Sequence, residues 1–185
     1  MNLKKRKSEL GFTLIDILVA ALIMAVMSGI LLANFSKTRI NISESSSIVI
    51  GAIRRAETKS ISSAKYSDYH PCGYGIRYAD NKSIEIYVSG PVSDTCIDER
   101  FNGSSVEIIR LVDPRIEIRA IFDDIFFLPP DPKIYLNGVS NYQSSLRILL
   151  GKTGDDCNDR ICQTICVYGT GRIETVPNII YACPQ

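Results

Sequence analysis

The chain is short of most things that catalysis and nucleic-acid binding require. Its 185 residues include one histidine, His70. That leaves little material for a histidine acid–base pair or a histidine-ligated metal. No long block of one charge sign runs along it, and the formal net charge is +1. Nothing global therefore marks a binder of nucleic acid or of an anionic surface. The C-x2-C spacing of many zinc sites is absent. No cysteine precedes residue 70 and no proline precedes Pro71. The early chain is thus free of the residue that most often stops a helix.

One long apolar run is present. Residues 4–32 read KKRKSELGFTLIDILVAALIMAVMSGILL. Four cations, Lys4, Lys5, Arg6 and Lys7, lead to a glycine, and the apolar run follows with one carboxylate, Asp16, near its start. Between residues 17 and 33 only Ser28 and Gly29 are not plainly apolar. Counted from Phe12 the run spans about 33 Å as a helix, enough to cross a hydrocarbon core. The flanking cations predict a cytoplasmic N-terminus. A cleaved signal peptide has a shorter apolar core, of about 7–15 residues, and a small-x-small site after it. The following NFSKTRINIS has no such site.

KKRKSELGFTLIDILVA resembles the leader and class III motif of type IV prepilins. The resemblance implies cutting by a membrane-bound prepilin peptidase between Gly11 and Phe12, and methylation of the new N-terminus. It also implies a role for the acid: Asp16 neutralises the α-amino group of a neighbouring subunit as the apolar helix docks into a filament. An unpaired carboxylate in hydrocarbon is costly, so a partner is expected. The family places glutamate there, and aspartate is one methylene shorter. Residues 1–11 are then a leader, 12–35 a transmembrane and filament-core helix, 36–66 its amphipathic continuation and 67–185 a β-rich head. Without the leader's four cations and one acid, the remainder carries a net charge of −2.

Periodicity supports this division. Ile42, Val49, Ile53 and Ala56 form one apolar stripe on a helix. Gly29 and Gly51 each cost such a helix about 1 kcal/mol. Gly29 marks either a place where the helix bends or one where another helix approaches closely. After Pro71 the period becomes two. Ile84, Ile86 and Val88 alternate with Glu85 and Tyr87; Ile116, Ile118, Ala120 and Phe122 alternate with Glu117 and Arg119. Both predict half-buried strands. A hairpin turn is expected at Asp80–Asn81. Further strands are expected at 105–112, 125–128, 145–150, 164–168 and 172–176. The fold class is α+β, a long N-terminal helix against a mostly antiparallel sheet.

Within the family, CGYGIRYADNKSIEIYV, IFFLPPDPKIYLNG and ICVYGTGRIETV are similar to the H-type minor pseudopilin of type II secretion and to FimT-type minor pilins. Asp131 stands where those proteins carry a glycine, and the segment GKTGDDCNDRICQTIC does not fit their pattern. The resemblance implies a structural minor subunit with no catalytic residues and no cofactor. Its partners are the peptidase, other pilin or pseudopilin subunits and the membrane, with the head on the extracytoplasmic side. An alternative is a filament-tip module that binds a secreted substrate or DNA. Arg172 is the candidate ligand contact for that reading. However, GRIE puts Glu174 where the DNA-binding members carry a second arginine, and a net charge of −2 does not favour phosphate binding.

Six cysteines, Cys72, Cys96, Cys157, Cys162, Cys166 and Cys183, make an even count suited to an oxidising compartment. Cys72 and Cys96 bracket the first hairpin and are placed to pair. Two bridges then remain for the last four, with zinc or free thiols as the alternatives. His70 and Cys72 flank Pro71 and do not read as a catalytic pair. GKTGDD lacks the first glycine of a phosphate loop. Asp155, Asp156 and Asp159 lack the ligand order of an EF-hand. A membrane-anchored exported enzyme is the third reading, and the residues offer it little.

Overall fold

The computed structural model describes residues 14–91, 96, 103–129, 132–154, 157, 162–177 and 183, and the side chains of these other than 32–40 and 177. The chain is α+β. One helix, α1 (Leu14–Ile61), precedes nine antiparallel strands among the described residues. Two compact units divide it, residues 1–38 and residues 39–185.

In the first unit α1 carries an 18-residue apolar window, Leu14–Leu31, with none of it buried. In the second unit the last turns of α1 are amphipathic. Ile42, Val49, Ala52, Ile53 and Ala56 are all buried. The predicted stripe is therefore the face that meets the core. The helix runs through Gly29 and Gly51 unbroken, with nothing within 4 Å of where a Cβ would stand at either. It stops at Ile61, short of the predicted 66, and Ser63 then takes a positive φ of 46°. Tyr74 fixes this exit by donating its hydroxyl to the Ala64 carbonyl at 2.8 Å.

The strands are β1 (Tyr74–Asp80), β2 (Ser83–Val88), β3 (Ser104–Arg110), β4 (Ile116–Ile118), β5 (Asp124–Leu128), β6 (Lys133–Leu136), β7 (Ser145–Lys152), β8 (Cys162–Tyr168) and β9 (Ile173–Pro177). They form two sheets rather than one, ordered β3-β2-β1-β5-β6 and β4-β7-β8-β9. The alternation at 116–122 runs beyond its strand. β4 ends at Ile118, and after Arg119 donates its amide to the Leu149 carbonyl the chain crosses to the other sheet. Phe122 is buried and Ile121 exposed along that crossing. β6 is a further strand beyond those expected.

One core gathers Ile53 of α1, Ile76, Ile84, Ile86 and Ile125 of the first sheet, and Ile148, Leu150 and Ile165 of the second. Part of the other face of the first sheet, on β2, β5 and β6, is also buried, contrary to the half-buried expectation for β2. There Tyr87, Phe126 and Tyr135 make a second, aromatic cluster. Tyr87 is 1% exposed, and its hydroxyl donates to Asp124 Oδ2 at 2.7 Å. Its ring lies where a Cβ on Gly75 or Gly103 would stand, at 2.7 and 2.4 Å. Two glycines thus make room for a tyrosine that alternation alone places outside.

Polar ties join the layers. Lys82, on the β1–β2 hairpin, donates Nζ to the Pro114 carbonyl at 2.7 Å, the Ile116 carbonyl at 2.9 Å and Thr153 Oγ1 at 2.8 Å. Asp113, between β3 and β4, accepts from the Asn41 amide on α1 and from Arg115 Nη2 at 2.9 Å. The Arg115 guanidinium, with the Arg115 backbone amide and Asn41 assisting, holds the Asp113 carboxyl down to about 2 against the opposing effect of burial. An unfolded aspartate titrates near 3.9. The folded-state pKa is depressed, so this stabilisation is complete above about pH 4 and is lost as pH falls through about 2. Allowing for screening, the loss is on the order of 1 kcal/mol. Urea titrations at stepped pH should show it, and Asp113→Asn should flatten that part of the curve. An unchanged slope in the variant would show that Asp113 contributes nothing to acid sensitivity.

Candidate functional site

Gly11 and Phe12, the expected processing pair, lie outside the described residues. Asp16 sits in the first turn of α1, where a carboxylate also complements the helix dipole. Around it Leu14, Ile15, Ile17, Leu18, Leu22 and Ile23 are all more than half exposed. An exposed apolar patch this large marks a surface made to be covered. The segment Leu14–Leu31 is long and apolar enough for a single membrane span, a test that a signal sequence near an N-terminus also passes.

All six cysteines are bridged, as Cys72–Cys96, Cys157–Cys162 and Cys166–Cys183. No free cysteine remains. The Cys72 thiol that stands near His70 in sequence is therefore consumed by a bridge. Among the described residues no group of three or more His, Cys, Asp or Glu is placed to hold a metal ion. Asp155, Asp156 and Asp159 lie outside the described residues. Gly151 backs the Cys157–Cys162 bridge: a Cβ there would stand 2.7 Å from Cys162 Sγ and 2.9 Å from Cys157 Sγ.

Among the described residues one further candidate from the sequence, Arg172, stands in a cleft. The loop before β7 brings Tyr142 and Gln143 to one wall, with Ser145 at the start of β7. The end of β8 and the β8–β9 turn bring Tyr168, Thr170 and Arg172 to the other. The volume is about 400 Å³. The Arg172 guanidinium lies over the Tyr168 ring, 4.6 Å from its centroid. Its Nη2 is 2.9 Å from Glu174 Oε2, which also accepts the Tyr168 hydroxyl at 3.1 Å. Tyr168 and then Glu174 raise the Arg172 pKa above its ordinary value. The arginine is thus held in place and its charge is balanced at contact distance.

The cleft walls are fixed to each other. Ser144 donates its amide and its hydroxyl to the Asn141 carbonyl, at 2.9 and 2.5 Å. Gly169 donates its amide to the Ser144 carbonyl at 2.9 Å. A Cβ on Gly169 would stand 2.1 Å from the Asn141 carbonyl oxygen, so only glycine allows this approach. Sequence reading found Arg172 and missed Tyr142, Gln143, Tyr168 and Thr170. The available signal was SNYQSS, an aromatic residue in a polar turn between two strands. Compared with protein-family models, curated proteins and solved structures, the chain matches none.

Proposed function

We propose that this chain is a structural minor subunit, a minor pilin or pseudopilin, of a type IV pilus or a type II secretion-like filament. The observation that carries the reading is the fully exposed apolar segment Leu14–Leu31 with one acid in its first turn. Its leader-like approach, four cations and then Gly11-Phe12, stands immediately before it. In this reading the segment is held in the cytoplasmic membrane until a prepilin peptidase cuts after Gly11. The helix then leaves lipid for a bundle of like helices from other subunits. Asp16 meets the amine of a neighbour's Phe12 there, and the pairing offsets the cost of a charge in an apolar bundle. Assembly is the mechanism, and no catalytic residue is required. The three disulfides support a domain matured outside the cytoplasm. The balanced charge of Arg172 weighs against the DNA-binding alternative, because phosphate contact needs a cation free to release counterions.

The test is the intact mass of the chain recovered from membranes of a host with an active prepilin peptidase. A product beginning at methylated Phe12, absent in a Gly11→Glu variant, is the expected result. A product that still begins at Met1, or one cut beyond residue 31, would overturn the reading.

A further inference from the structure

We propose that the unit formed by residues 39–185 carries a binding site for a neutral saccharide, in the cleft between the loop before β7 and the β8–β9 turn. The proposal stands apart from the filament reading and does not need it.

Shape and lining chemistry give the ligand class. A pyranose ring presents one face of C–H groups and a rim of hydroxyls. Tyr142, 79% exposed at the cleft mouth, offers an uncovered aromatic ring for such a face. The second platform is the exposed Arg172 guanidinium, a flat surface backed by the buried Tyr168 ring on which it stacks. The Gln143 amide and the Ser145 and Thr170 hydroxyls line the same space and both donate and accept. A volume of about 400 Å³ lies within the range of small-molecule sites, roughly 300–1,000 Å³.

Charge narrows the class further. Arg172 is the only charged residue among the described ones lining the cleft, and Glu174 balances it at 2.9 Å. A carboxylate or phosphate ligand would have to compete with Glu174 for the same guanidinium. A neutral ligand would not. Arg172 and Glu174 then act as a fixed hydrogen-bonding edge rather than as an anion trap. A peptide is less well suited, since the walls combine ring faces with polar heads and form no closed apolar socket.

The site is also built before any ligand arrives. Tyr142 stands on a loop tied at Asn141, Ser144 and Gly169, with Gln143 donating its amide to Asn141 Oδ1 at 3.0 Å. A large aromatic side chain held in water on a fixed loop loses little entropy when it binds.

The experiment uses the full chain in a zwitterionic detergent that has no sugar headgroup. Saturation-transfer NMR is run with maltose, cellobiose, lactose and N,N′-diacetylchitobiose, each at about 10 mM. At least one should bind with a dissociation constant of about 1 mM or tighter. Tyr142→Ala should weaken that sugar about tenfold or more, and Gln143→Ala about threefold, with unchanged melting temperatures. Both side chains are on the surface, so folding should survive either change. The proposal is overturned if none of the four sugars binds. It is equally overturned if the bound sugar is indifferent to Tyr142→Ala, or if a single-stranded oligonucleotide occupies the cleft more tightly than any of them.

Discussion

Gly73→Ala should cost the protein about 3 kcal/mol or more and lower its melting temperature by about 10 °C. Gly73 lies just before β1, at the point where helix exit, first strand and disulfide meet. A Cβ there would stand 2.2 Å from the Phe127 carbonyl oxygen and 2.8 Å from Phe126 Cζ. Neither neighbour is free to move. The Phe127 carbonyl accepts the buried Ser60 hydroxyl from α1 at 2.5 Å, and Phe126 is fully buried in the aromatic cluster. Gly73 itself is fixed from the opposite side, donating to Ser89 Oγ at 2.8 Å and accepting from the Ser89 amide at 3.0 Å. The added methyl group must therefore push β1 away from β5 or break the Ser60 bond. Gly51→Ala is the control. Nothing lies within 4 Å of its Cβ position, and the helix should gain up to about 1 kcal/mol. Thermal melts of the full chain in detergent decide the matter. A Gly73→Ala protein melting within about 2 °C of the parent would mean that the close approach of Phe127 is wrong.

The second large effect is expected from the disulfides, and it should be graded. A cross-link stabilises chiefly by restricting the unfolded chain, in proportion to the logarithm of the loop it closes. The sequence separations are 24 for Cys72–Cys96, 17 for Cys166–Cys183 and 5 for Cys157–Cys162. The loop-entropy relation then gives losses of about 3.5, 3.2 and 2.2 kcal/mol for the three paired Cys→Ser variants. Urea unfolding of each double variant checks the order. Were the Cys157–Cys162 pair the costliest to lose, native-state packing around Gly151 would have to outweigh chain entropy.

Parts of this architecture could be read directly from the residues. The stripe Ile42, Val49, Ile53 and Ala56 was visible because burial on one side of a helix imposes its own period. Strands β2 and β4 were visible for the same reason at period two, and β5, β7 and β8 fall where further strands were expected. Tyr87 was not, because its burial depends on Gly75 and Gly103 coming near it from elsewhere in the chain. The division into two sheets was hidden too. It rests on β1 pairing with β5 across some 50 residues, and on the crossing after β4, and no local pattern records either. Six cysteines permit about 15 pairings; the place of Cys72 and Cys96 on either side of the first hairpin pointed to their bridge, and nothing local chose between the pairings of the last four. At the candidate site, Arg172 stood out as a charge beside a glycine. The residues that shape the cleft around it come from two separated turns, so only folding brings them together.

The position of β1 has a mechanical consequence. Any pull along α1 that its own packing does not hold passes down the chain through Pro71 and Cys72, to the beginning of this strand. β1 is central, bonded to β2 along Tyr74–Asp80 and to β5 along Tyr74–Arg77. Load applied along its axis falls on two hydrogen-bond ladders at once, in shear. No single rung can open first, as it would if an edge strand were peeled away. Cys72–Cys96 and the Ser60–Phe127 bond lie at the same entrance. The domain is therefore reinforced where tension would arrive, and it should yield at its loops before it yields at its anchor.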